Sequence, residues 1–266
     1  MVKTLFILVC CFQLSVLGQG FSIINDGDVC PLRCCDVGVQ HSVEFPSSAT
    51  YVNRNGPLTG AVDNKTGTMA VWVKTTQNTF LAKEYYGLGG LQILGNNTVY
   101  VSAITSPALA FQLQMDSSGC SINAKDGNWH HIMVSWDLSD INKKHLYIDG
   151  VNCLTTVTTY NDANITWTAP DWIIGSGTAT DVKVYDTWMD NSYIDLSIAG
   201  NREKFRSATG CPVYLGANGE LPTGTSPLVH FWKQVPNWAQ NQGTGGGFTE
   251  NGIIVDGGGD NPTCNP

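Results

Sequence analysis

The residues of this chain able to do chemistry are its carboxylates, two adjacent histidines and a set of cysteines, and spacing decides what each can do. Cleaving a glycosidic bond takes two carboxyl groups held together, one to donate a proton and one to attack. The glutamates Glu44, Glu84, Glu203, Glu220 and Glu250 each stand alone. His130 and His131 are neighbours in an alternating stretch, where adjacent side chains point to opposite faces and cannot share one ligand set. One of them is expected to pack against an aromatic ring and to be hydrogen-bonded. The chain has no H-E-x-x-H, no G-x-S-x-G and no recognisable Cys–His spacing. Gly245, Gly246 and Gly247 lack the strand-to-helix context of a phosphate loop and read as a turn. The pattern points away from catalysis.

The cysteines point to a compartment. Residues 1–20, MVKTLFILVCCFQLSVLGQG, have the layout of a secretory signal, with Lys3 before an apolar run and small glycines near its end. The run is short and broken by Gln13 and Ser15, so a membrane span is not expected there, and no other stretch could cross a bilayer. Of nine cysteines, Cys10 and Cys11 fall in this leader, leaving Cys30, Cys34, Cys35, Cys120, Cys153, Cys211 and Cys264. Outside the cell these are disulfide candidates first. Cys30, Cys34 and Cys35 could bind zinc, but secretion favours a stapled N-terminal segment over residues 21–41. An odd total leaves one thiol free or pairing between chains.

Composition narrows the partners. Charged residues make up 14% and the formal net charge is −8, without a Lys/Arg cluster, which argues against nucleic acid and anionic membranes. Three Asn-x-Thr sequons, at Asn64, Asn96 and Asn164, fall in predicted loops and are candidate glycan sites.

These residues must be positioned by strands. In residues 126–150, DGNWHHIMVSWDLSDINKKHLYIDG, Ile132, Val134 and Trp136 point one way and Trp129, His131 and Met133 the other. Leu146 and Ile148 repeat the inward pattern, and Asp149 with Gly150 supplies the positive φ angles of a two-residue turn. Short strand patterns recur at roughly ten-residue spacing through residues 42–188, and again at 228–232. Only residues 195–208, DLSIAGNREKFRSA, suggest a helix (placed near 195–206), with Asp195 as cap and Leu196, Ala199 and Phe205 sharing a face. An antiparallel sandwich or barrel follows. Cys120 precedes the central strand and Cys153 follows the next one, so both should lie at one end of the sheet and be bonded. Cys211 and Cys264 could staple the Gly- and Asn-rich C-terminal part.

GNWHHIMVSWD followed by HLYIDGV resembles the LamG-like branch of the concanavalin A-like lectin/glucanase superfamily, in versions seen in phage and bacterial structural and surface proteins. DNKTGTMAVWV, YIDLS with NREKF, PVYLGANGELPTGTSPLVHF and NQGTGGGFTENG extend the likeness over residues 42–260, leaving 261–266 as a tail. The resemblance implies an all-β, two-sheet antiparallel jelly-roll sandwich. It also implies carbohydrate or protein binding, and sometimes assembly. Glucanase relatives carry Glu-x-Asp-x-x-Glu on one strand, and no such run occurs here. Related domains often hold calcium through loop oxygens, for which Asp63-Asn64 and Asp190-Asn191 are the candidates, but no structural calcium can be assigned and no other cofactor is expected. Trp72, Trp129 and Trp136 lie in strands, whereas Trp167, Trp172, Trp188 and Trp238 lie in or near loops and are the sugar-stacking candidates.

The reading is a secreted, non-enzymatic glycoprotein that binds an extracellular glycan or protein, without a membrane span. A structural subunit of a virion surface or extracellular filament, contacting copies of itself as a homo-oligomer, is the second reading. A glycoside hydrolase is the third.

Overall fold

The structure is a computed structural model and describes residues 42–84, 90–105, 110–175 and 181–264. Residues 1–41, with the expected secretory signal and Cys30, Cys34 and Cys35, lie outside the described residues. The strands in chain order are β1 (Val43–Phe45), β2 (Tyr51–Asn53), β3 (Thr66–Lys74), β4 (Thr79–Glu84), β5 (Gly90–Ile93) and β6 (Val99–Thr105). Next come β7 (Ala110–Asp116), β8 (Trp129–Asp137), β9 (Lys144–Ile148), β10 (Val151–Asn152), β11 (Thr156–Tyr160), β12 (Trp172–Ile174) and β13 (Val182–Asp190). Helix α1 (Ala199–Arg202) is followed by β14 (Val229–Phe231), β15 (Thr249–Asn251) and β16 (Val255–Asp256).

They build two antiparallel eight-stranded sheets. Sheet A runs β10-β9-β8-β3-β13-β1-β16, with β14 also on β13, and sheet B runs β11-β7-β6-β5-β4-β12-β2-β15. β8 is interior to its sheet, paired through nine positions with β3 from Trp129↔Lys74 to Asp137↔Thr66. Ile132, Val134, Trp136, Leu146 and Ile148 enter the core between the sheets, as their alternation requires. At the β9–β10 turn Asp149 and Gly150 have φ of 52° and 81°, the left-handed pair that a two-residue hairpin needs.

The core is aromatic where the sheets meet at their ends. Trp136 stacks on Trp167 and Trp167 on Trp172, with centroids 6.2 and 5.5 Å apart. Gly67, opposite Trp136 in the ladder, leaves the room that these rings fill. Trp238 lies between Phe231, stacked at 4.8 Å, and the edge of Phe45 at 5.4 Å.

Both expected staples form: Cys120–Cys153 and Cys211–Cys264. Residues 261–264 are fastened by the second of these and by Asn261, whose Oδ1 accepts the Ser42 N–H at 2.7 Å.

The helix is shorter than the pattern suggests. α1 spans four residues, Ile198 is its N-cap without a side-chain bond, and Asp195 instead accepts the Ser197 N–H and O–H at 3.0 and 2.6 Å. An Asx turn competes with the helix for the same backbone donors and wins. Leu196 and Phe205 are buried as expected, and Ala199 is exposed.

Candidate functional site

A sandwich offers a ligand two outer sheet faces and the loops at its ends. On sheet A part of the outer face is covered. Ala70, Met133, Tyr147 and Trp188 point outward from β3, β8, β9 and β13, and Ile194, Leu196, Phe205 and Leu215 lie over them as a second apolar cluster. Polar anchors fix the cover. Ser135 donates to the Ile194 carbonyl at 2.7 Å, and the Ile194 N–H reaches Thr68 Oγ1 at 3.1 Å. The cover gives the outward Met133 of β8 an apolar partner, so this strand is buried on both sides there.

This overturns the loop tryptophans as sugar platforms. Trp167, Trp172, Trp188 and Trp238 are exposed by 1%, 5%, 0% and 1%. Trp188 lies under the cover of sheet A, and Trp167, Trp172 and Trp238 are packed in the core between the sheets. Trp167 Nε1 donates to the Thr66 carbonyl at 2.9 Å, and Trp188 Nε1 to that of Gly219 at 2.8 Å.

The outer face of sheet B is of another kind. Gln92, Tyr100 and Asp116 pair across β5, β6 and β7, and Thr159, Gln114 and Ser102 across β11, β7 and β6. Thr159 donates to Gln114 Oε1 at 2.8 Å, and Gln114 Nε2 donates to the Tyr100 hydroxyl at 2.6 Å. Burial raises the Tyr100 pKa above its ordinary value, against the Gln114 bond, so the phenol stays protonated and available as a donor. Lys83 Nζ stands 4.9 Å over the Phe80 ring on β4. Tyr100, Gln114, Gln92 and Phe80 are half-buried: held in place by neighbours yet open to solvent. Amides, hydroxyls and an aromatic edge on a rigid sheet suit recognition of a polar, uncharged surface.

The histidines are scaffold. His131 is buried and stacks on Trp72 at 4.6 Å; burial above all lowers its pKa to about 3, so it stays neutral. His130 faces Asp149 at 2.6 Å and Asp126 at 3.0 Å; burial opposes its proton, but the two carboxylates outweigh it and raise the pKa. A third constellation escaped sequence reasoning: His145 Nε2 lies 2.9 Å from the Tyr193 hydroxyl and 3.3 Å from Asp195. Burial lowers the His145 pKa and raises that of Tyr193 to about 12, so near neutrality the imidazole is neutral and the phenol protonated.

Four of the glutamates stand apart from one another: Glu220 accepts the Asn218 N–H, Glu250 the Ile254 N–H, Glu44 faces Lys183 at 3.8 Å, and Glu203 is exposed at the C-cap of α1. The calcium candidates meet, but as a hydrogen-bonded seam. Asn64 Nδ2 donates to the Asn191 carbonyl, Asn191 Nδ2 to that of Val62, and Asp63 and Asp190 accept the N–H groups of Thr168 and Leu228. Among the described residues no three His, Cys, Asp or Glu converge on one point.

A family model of the concanavalin A-like lectin/glucanases superfamily, Laminin_G_3, matches residues 46–194. The chain belongs to this Laminin_G_3 family. The match ends where the cover of sheet A begins, so α1, β14, β15 and β16 lie beyond it. Comparison with curated proteins gives no match. Among solved structures, a heptameric SAP-like pentraxin from Limulus polyphemus is similar over 82% of this chain and 94% of its own, with 12% identity and a TM-score of 0.50. A putative carbohydrate binding protein from Bacteroides ovatus aligns over 82% of this chain and 59% of its own, with 9% identity and a TM-score of 0.49. Domains LG4-5 of the mouse laminin alpha1 chain align over 61% and 46%, with 14% identity and a TM-score of 0.40. The pentraxin likeness is one of fold. In this Laminin_G_3 chain the ligand surface has to be argued from its own residues. Among the described residues no helix is long and apolar enough to cross a membrane.

Proposed function

We propose that this protein is a secreted, non-catalytic binding module, and that it takes a glycan or a protein surface on the outer face of sheet B. The observation that carries the reading is the Thr159–Gln114–Tyr100 chain on that face, three half-buried hydrogen-bonding side chains fixed on adjacent strands. Membership of a lectin/glucanase superfamily without paired carboxylates favours binding over hydrolysis. Two disulfides and the leader-like residues 1–20 support an extracellular setting.

A glycan array and an extracellular-protein array, probed with the secreted chain, test this. A ligand whose binding drops about tenfold or more in Tyr100→Ala and Gln114→Ala, with the thermal midpoint kept, supports the assignment. A ligand indifferent to both substitutions would move the site elsewhere, and turnover of a β-glucan would replace binding by catalysis.

A further inference from the structure

The sequence holds three Asn-Gly pairs, Asn55-Gly56, Asn218-Gly219 and Asn251-Gly252. An asparagine before a glycine can modify itself, because no glycine side chain keeps the backbone nitrogen away from the asparagine amide carbon. In a folded protein the rate depends on how the two groups are held, and these three pairs are held differently.

Two of them are clamped. The Gly219 N–H donates to the Gly216 carbonyl at 3.3 Å, and the Gly219 carbonyl accepts Trp188 Nε1 at 2.8 Å. A Cβ on Gly219 would lie 2.8 Å from the His230 ring, so this glycine is wedged against a buried side chain. Asn251 sits in β15 opposite Tyr51, its Nδ2 donates to the Thr249 carbonyl at 3.3 Å, and Gly252 packs against Ala49 and Thr50. Neither pair can rearrange without breaking contacts.

The pair at Asn55 differs at both reacting groups. Asn55 is exposed just past β2 and has φ of 51°, a left-handed turn that asparagine tolerates better than most residues. Among the described residues nothing accepts the Gly56 N–H, and an added Cβ there would meet only an Arg54 nitrogen, 3.8 Å away. The amide it would attack is gripped. Asn53 Nδ2 donates to Asn55 Oδ1 at 2.9 Å and reaches Asp171 Oδ2 at 3.3 Å, while Asp171 Oδ1 accepts the Asn55 N–H at 2.9 Å. A donor on the amide oxygen draws electrons from Cγ and meets the negative charge that gathers on Oδ1 during attack. Asn53 Oδ1 is buried without a hydrogen-bond partner, so this side chain is oriented by its donor end.

We infer that Asn55 is a self-modifying site, with Gly56 as nucleophile and Asn53 as the group that positions and polarises the reacting amide. The Gly56 nitrogen loses its proton and bonds to Asn55 Cγ. The Cγ–Nδ2 bond breaks, and Nδ2 leaves with a proton as ammonia. Water then opens the cyclic imide at either carbonyl, giving aspartate or isoaspartate. Nothing is oxidised or reduced, and water is the one co-reactant. Either product sets a new carboxylate beside Asp171. Isoaspartate also lengthens the backbone where the end of β2 is tied to the start of β12, so the molecule gains negative charge and loosens there with age. The reaction needs no ligand and no enzyme, which makes it independent of binding on sheet B.

Incubation of the folded, full-length protein for weeks in mildly alkaline buffer tests this, with peptide mapping for imide, aspartate and isoaspartate at each pair. Asn55 is expected to react about tenfold or more ahead of Asn218 and Asn251, faster as pH rises, and the three rates are expected to converge in urea. Asn53→Ala is expected to slow Asn55 about fivefold in the folded protein, the worth of one exposed hydrogen bond, and to leave its rate in urea unchanged. Should Asn53→Ala unfold, Asn53→Leu serves instead, since it keeps the volume and loses the donor. Asn55 left intact, the three pairs reacting alike in the folded protein, or a rate at Asn55 indifferent to the Asn53 substitution would each overturn the proposal.

Discussion

Asp149 shows how much one side chain can organise. It sits at a positive φ, accepts from the His131 backbone, holds the His130 ring and faces Arg206. The histidines it touches behave oppositely. His131 is wholly buried and its pKa is depressed from 6.5 to about 3. Between those values the unfolded chain takes up a proton that the folded chain refuses, so this residue lowers stability as pH falls through that window. His130, with a raised pKa, does the reverse: its ion pair is fully present below the ordinary histidine value and is lost as pH rises through the raised one. His131→Phe keeps a ring against Trp72 and removes the proton site. Urea unfolding between pH 7 and pH 4.5 should show the native protein losing up to about 1.4 kcal/mol per pH unit from this residue, and the variant losing less. Equal slopes would show that His131 is not the group that resists the proton. That one of the two histidines would pack on an aromatic was legible in the sequence, but not that it would be His131, which stacks on Trp72. That its neighbour would be gripped by two carboxylates was not, because Asp126 and Asp149 reach it through the fold of a hairpin.

At the scale of elements, the central hairpin could be read almost residue by residue. Period-two patterning and a positive-φ turn are local, and β8, β9 and β10 have no freedom to ignore them. The cover of sheet A could not be read this way. It is an irregular path of turns around a four-residue helix, stabilised by burial of Ile194, Leu196, Phe205 and Leu215 instead of by a repeat. The same blindness applied to Trp167, Trp172, Trp188 and Trp238, whose flanking turns say loop while their size says core. Gly67 gives an element-scale test. A Cβ there would sit 2.7 Å from the Trp167 ring and closer still to Trp136, with both indoles pinned by stacking. Gly67→Ala is expected to cost about 1–3 kcal/mol in chemical denaturation, through displacement of the tryptophan stack. A variant as stable as the parent would mean that the rings yield freely.

For the whole molecule, geometry ranks the three sequons, which sequence treats alike. Asn96 and Asn164 are exposed, whereas Asn64 is half-buried with its amide donating to Asn191 and accepting from Thr66. Glycopeptide mapping of the protein made in a glycosylating host should find occupancy at Asn96 and Asn164 well above that at Asn64. Predominant modification of Asn64 would show that the seam with Asn191 forms late or loosely. Asp260 ties the last stretch to three strands at once, accepting from Lys74 on β3 at 2.9 Å, Lys183 on β13 at 2.8 Å and Trp129 on β8 at 3.1 Å. Although burial opposes it, these bonds bring its pKa to about 2, so its contribution holds above the ordinary carboxylate value and fades only as pH falls toward 2. Asp260→Asn should lower the thermal midpoint at pH 7 and leave it nearly unchanged at pH 2; the same loss at both pH values would exclude the ionic origin.

The fastening of residue 261 to residue 42 has one more consequence. Ser42 donates its N–H to Asn261 and its hydroxyl to the Asp260 carbonyl at 2.6 Å, so the chain enters and leaves the sandwich at the same corner. A unit whose two ends share a doorway behaves as a cassette. It can be set into the surface loop of another protein, or its ends joined and the ring reopened in a distant turn, without disturbing either sheet.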